Sequence, residues 1–244
     1  MLTAKENMRE VIRGGNPDRL VNQYEALSLL IHPAMMASPL LKKGDPDMVN
    51  AWGVTFSFPE NVPGQFPVHT PDKIVIKDIE NWRDYVKAPS LEFPEELWNV
   101  CKGMYAGASD KAYKAVFVAP GLFEQCHHLM SIEEALMAFY EYPDEMHELI
   151  AYLADWEMEL AKGICENLHP DVIFHHDDWG SEISSFLRPE MFEEFFLEPY
   201  KRIYTYYKEH GVEFIVHHSD LYTFPSLRKI FNTIGYISTF FNLR

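Results

Sequence analysis

No run in this 244-residue chain approaches the roughly 20 consecutive apolar side chains of a membrane span. The N-terminus, Met1-Leu2-Thr3-Ala4-Lys5-Glu6, lacks the apolar core of a signal peptide, so a soluble, cytoplasmic protein is expected. Cations are scarce: 21 Lys and Arg against 37 Asp and Glu leave a formal charge of −16. That balance excludes a nucleic-acid surface, which needs clustered Lys and Arg, and makes a highly anionic ligand hard to bind. The three cysteines, Cys101, Cys126 and Cys165, show no zinc-type CxxC spacing and suit a reducing compartment. No glycine-rich phosphate or dinucleotide loop occurs. Apolar residues make up 47%, enough at this length for a substantial core in one domain.

Against these absences stands one doubled pattern. Val172-Ile173-Phe174-His175-His176-Asp177-Asp178 and Phe214-Ile215-Val216-His217-His218-Ser219-Asp220 are apolar, β-branched runs that each end in His-His-x-Asp. A helical stretch separates them, and strand, helix, strand is the repeat of a parallel α/β fold. Chemistry in such folds collects where strands end. The two clusters are therefore expected to converge on one cavity at the C-terminal ends of adjacent strands. The alternative for some of these histidines is a place in the barrel wall, bonded to backbone.

Elsewhere, Thr3-x-x-Glu6 and Ser131-x-x-Glu134 are capping boxes that open helices. Met146, Leu149, Ile150, Leu153, Trp156, Leu160 and Ile164 form one apolar helical stripe, read as core packing. A helix is expected from Pro189 to Gly211, divided near Pro199. Strands are expected at 20–26, 115–119, 172–176 and 214–218, with another in the irregular region before 115. Residues 32–73, rich in Pro and Gly, read as a long excursion with strand-like Val54-Thr55-Phe56 and no clear helix. His127-His128 lacks the strand-end pattern and is read as surface or packing histidine.

Several blocks together resemble the uroporphyrinogen decarboxylase superfamily: Asn16-Pro17-Asp18-Arg19, Ile76-Lys77-Asp78-Ile79-Glu80-Asn81-Trp82, Asp177-Asp178-Trp179-Gly180, Leu187-Arg188-Pro189-Glu190-Met191-Phe192, Pro199-Tyr200 and His217-His218-Ser219-Asp220. The resemblance implies a TIM-type (β/α)8 barrel with its site at the C-terminal mouth. Within the superfamily, true decarboxylases carry an arginine-bearing block at the first strand exit. Here the matching stretch, Asn22-Gln23-Tyr24-Glu25-Ala26-Leu27, has none, and guanidinium contacts to a multi-carboxylate ligand are hard to replace. The resemblance thus points to the branch of corrinoid-linked, often zinc-dependent methyltransferases. It implies a small methylated substrate and a corrinoid carried by a partner protein. A porphyrinogen decarboxylase is the alternative, and an inactive family member a third.

In that branch His-x-Cys supplies two zinc ligands, and His218-x-Asp220 occupies the matching place, so zinc is an expected cofactor with His218 and Asp220 as ligands. A His–Asp hydrogen bond ordering the loop is the other reading of this pair. His176 and Asp178 are expected to act in catalysis, and Tyr24, Glu25 and Trp179 to contact substrate. The resemblance stops just past Asp220. Residues 221–244 contain no Asp or Glu, where about four would be expected at the density of the first 220. The expectation is a barrel portion over 1–220, an atypical segment over 221–244 from truncation or frame shift, and absence of the last two barrel strands. A chain of that kind would be inactive alone and prone to self-association.

Overall fold

A computed structural model describes residues 1–37, 40–181 and 183–219, the Gln23 side chain aside. The Thr3–Glu6 capping box starts helix α1 (Ala4–Arg13), which stops at Gly14 with φ of 66°, a left-handed conformation that costs glycine little. The first strand lies later than 20–26. The Asn22 side chain accepts the Tyr24 N–H at 2.9 Å and nucleates a single turn, α2 (Gln23–Ala26). Only then does β1 (Leu27–Leu30) begin, and it leaves through Ile31 and His32 into the turn α3 (Pro33–Met36).

The excursion carries that one turn and a small antiparallel sheet of β2 (Met48–Val49), β3 (Thr55–Ser57) and β4 (Phe66–Pro67). Its return is pinned where Val75 and Ile76 both donate to the Leu129 carbonyl. Then follow α4 (Glu95–Gly107), β5 (Tyr113–Val118), α5 (Leu122–Leu129), α6 (Ile132–Glu141), α7 (Pro143–Leu168) and β6 (Val172–His176). The last described elements are α8 (Pro189–Phe192), α9 (Glu198–Glu209) and β7 (Phe214–His218). Between α8 and α9 the turn Glu193–Leu197 widens to a π-helix just before Pro199, whose missing N–H removes a rung of the α-helical ladder.

The main sheet is parallel throughout, in the order β1-β5-β6-β7. Because β1 pairs directly with β5 (Leu30 opposite Val116), the extra strand expected before 115 does not enter this sheet. The result is the α/β layering of a TIM-type barrel in part, and among the described residues the sheet does not close. Asp220 and the whole 221–244 segment lie outside the described residues.

The period-two alternation of strand side chains sorts the core into two layers. On one face Tyr113, Ala115, Val172, Phe174, Phe214 and Val216 pack with Leu27 and with Met8 of α1. On the other, Val116, Val118, Ile173 and Ile215 pack beneath α5, α7 and α9. The α7 stripe is buried here, save for a half-buried Trp156. Ion pairs tie α1 across the sheet's N-terminal edge: Lys5 to Asp171 at 2.7 Å, and Arg9 to Glu213 through two 2.7 Å contacts that Arg13 joins at 2.9 Å. Among the described residues no helix is long and apolar enough to cross a membrane.

Candidate functional site

In each His-His pair the alternation sends one imidazole to each face. His175 enters the helix layer, where its Nε2 lies 2.9 Å from Glu157 Oε1 and its Nδ1 3.2 Å from the Tyr204 hydroxyl. His217 is buried on the same side, stacked on the Trp179 indole with ring centroids 3.7 Å apart. These two are wall histidines.

His176 and His218 face the other way, opposite one another in the β6–β7 register. Their rings stack at 4.9 Å and their Nδ1 atoms approach to 2.8 Å. Two lone pairs do not sit at that distance, so a proton lies between them. His176 Nε2 is 3.4 Å from Glu124 Oε1 and 3.8 Å from Asp178 Oδ2. Burial opposes charge on His176, but the Glu124 carboxylate, with Asp178 and Asp177 behind it, outweighs burial and raises the imidazole to about 9. Burial also raises Glu124, which makes the two groups sharers of a proton.

Asp177, just past the end of β6, is fully buried and organises the strand ends. It accepts the backbone N–H groups of Phe123 (3.2 Å) and Glu124 (2.8 Å), the Trp179 indole N–H (2.6 Å) and the Tyr200 hydroxyl. It thereby satisfies first-turn donors of α5, which has no side-chain cap of its own. Burial lifts its carboxyl to about 6. The close approach demands Gly121: a Cβ there would meet Asp177 Cβ at 2.4 Å.

Of the residues expected at the site, His176, Asp178 and His218 come together, with ligand-capable atoms within 4.8 Å of one another. Tyr24 and Glu25 do not join them. They precede β1 and so lie at the opposite end of the sheet, where Tyr24 is half exposed and Arg19 holds Glu25 with both guanidinium nitrogens. The true exit of β1, Ile31-His32-Pro33-Ala34-Met35-Met36-Ala37, is also free of arginine. Trp179 is no open substrate contact either. It is 2% exposed, clamped between Asp177 and His217, and serves as the floor beneath the strand ends.

Sequence reasoning passed over Glu124 and read His127 and His128 as surface or packing histidines, yet these three also bring ligand-capable atoms within 4.8 Å of one another. The signal was present as Glu-x-x-His-His, since positions three and four apart share a helix face. It also passed over His32, buried with both ring nitrogens unpartnered among the described residues. His32 lines a cavity of about 120 Å³ on the helix side of the sheet, with Trp52, Phe93, Gln125, Leu153 and Trp156.

A family model described as uroporphyrinogen decarboxylase (URO-D) matches residues 48–235. Among solved structures, a methyltransferase from Methanosarcina mazei superposes with a TM-score of 0.59 at 12% identity, over 97% of this chain and 75% of that one. At that identity the likeness is one of fold. No protein of curated function matches the sequence significantly.

Proposed function

The chain belongs to the uroporphyrinogen decarboxylase family, and from that premise we propose a methyltransferase that moves a methyl group between a small methylated compound and a corrinoid carried by a partner protein. One observation carries the reading: two imidazoles and a carboxylate meet at the sheet's C-terminal mouth, beside a β1 exit without arginine. A porphyrinogen bearing many carboxylates needs guanidinium partners that this exit does not offer, and the charge of −16 works against it. The fold likeness to a methyltransferase agrees with this choice.

Zinc suits the donor set. His176, His218 and Asp178 would hold it, with Asp220 as the further donor implied by the family pattern. The Nδ1 atoms of His176 and His218, already 2.8 Å apart, would be among the donors turned toward it. When bound, the metal supplies Lewis acidity, polarising the leaving heteroatom or activating a thiol. The protein's own part is proton placement. Glu124 Oε1 would keep the proton on His176 Nε2, so that the proton a bound metal displaces is the one at Nδ1, on the side of His218. The buried Trp179 and Asp177 keep both strand ends in register while this happens.

Two measurements on one preparation test the reading: zinc content, and methyl transfer from a panel of methylated amines, thiols and ethers to free cob(I)alamin followed by absorbance. His218→Ala is expected to lose one equivalent of zinc and at least 100-fold in transfer rate, in line with loss of a metal ligand. Metal-free protein that decarboxylates uroporphyrinogen would overturn the proposal.

A further inference from the structure

The structure assigns a second divalent-metal site to Glu124, His127 and His128, on the side of α5 that meets the folded-over excursion. The three residues come from little more than one helical turn, and their ligand-capable atoms cluster within 4.8 Å. The excursion closes over them. Phe56 of β3 packs edge-on against the His128 ring at 5.6 Å, and His69, just past β4, places Nε2 3.3 Å from the His128 carbonyl oxygen.

Two of the ligand groups are left in a costly state by the protein alone. Glu124 Oε2 and His128 Nδ1 are closed off from solvent and have no hydrogen-bond partner among the described residues. A buried polar atom of this kind costs about 1–3 kcal/mol, and a cation between them satisfies both. Two imidazoles and one carboxylate, with no thiolate, suit a first-row divalent ion such as zinc, cobalt(II) or iron(II), whereas calcium prefers an all-oxygen shell.

This site shares no imidazole with the strand-end cluster, and it does not depend on the reaction proposed above. The one connection is Glu124, whose Oε1 faces His176 Nε2 at 3.4 Å while Oε2 remains for the second cation. The mouth is then a two-cation centre with one carboxylate between its halves. A cation at Glu124 also keeps that carboxylate ionised, which holds the proton on His176 Nε2.

Chelator-stripped protein is titrated with zinc by calorimetry and with cobalt(II) by visible absorption, as wild type, His218→Ala, and the double variant His127→Asn/His128→Asn. The expected result is two equivalents for wild type and one for each variant. A single equivalent that survives His218→Ala and disappears in the double variant supports this site while removing the strand-end metal. A double variant that keeps every equivalent of the wild type, or a wild type that binds none, overturns it. Because the double substitution can unfold α5, the imidazole nitrogen signals of His127 and His128 are also followed in wild-type protein. They are expected to shift by tens of ppm as metal fills the site. Signals unmoved through two equivalents mean that only water occupies the space, and the proposal falls.

Discussion

Asp177 concentrates more of the site's order than any residue that faces the mouth. Two α5 backbone donors, the Trp179 indole and the Tyr200 hydroxyl all end on its carboxylate, away from water. Asp177→Ala strands those donors, and urea denaturation is expected to show a loss of about 2–4 kcal/mol. Asp177→Asn is expected to recover little of it, because the amide turns an N–H₂ toward N–H donors. Stability equal to wild type would show that the donors have other acceptors. His176 and Asp178 were readable as one-face neighbours because residues two apart on a strand share a side. The partners of His175 were not readable. Glu157 and Tyr204 reach it from α7 and α9, and nothing near His175 in the chain announces them.

The connection from β5 to α5 sets where Glu124 and both its neighbouring clusters stand. Gly121 makes it possible by letting backbone run against Asp177. Gly121→Ala forces a methyl into occupied space. It is expected to cost about 1–3 kcal/mol of stability, as overpacking does, and to weaken metal binding through the displaced α5. Denaturation paired with the calorimetric titration reads both, and an unchanged variant would mean that the turn yields freely. Strands β5, β6 and β7 could be placed within two residues from apolar runs alone. Strand β1 could not, because Asn22 offers the chain a local cap that outcompetes the extended conformation suggested by Leu20 and Val21. With β1 displaced, Tyr24 and Glu25 move from the mouth to the opposite end. The antiparallel sheet of the excursion was legible only as Val54-Thr55-Phe56, since strands of two or three residues carry too little pattern to count.

Across the whole molecule, buried imidazoles make the fold sensitive to acid. Burial lowers His32 and His127 to about 4 and holds His128 and His217 well below the ordinary range. A histidine lowered in the folded state adds no penalty above pH 6.5. It draws protons to the unfolded chain as pH falls toward 4, so stability is lost over that window. Asp177 and Glu124, raised by burial, work in the opposite direction but are outnumbered. Urea midpoints of metal-free protein are expected to fall from pH 7 to pH 5. His32→Gln should remove a share of that fall, on the order of 2 kcal/mol. A variant with the wild-type profile would place His32 outside the effect. The family and the parallel α/β layering were legible because ordered blocks and strand ends survive in sequence. Contacts across the sheet edge were not, and one of them bears on how the chain is made. Helix α1 leaves the ribosome well ahead of Asp171 and Glu213, which anchor it from 166 and about 200 residues later in the chain. At a synthesis rate of about 5–20 residues per second, the apolar side of α1 waits for about 10–40 s before its anchors exist. Over that interval the nascent chain depends on chaperone shelter or on a makeshift apolar contact, and docking of the N-terminal helix becomes a late event in the life of each new molecule.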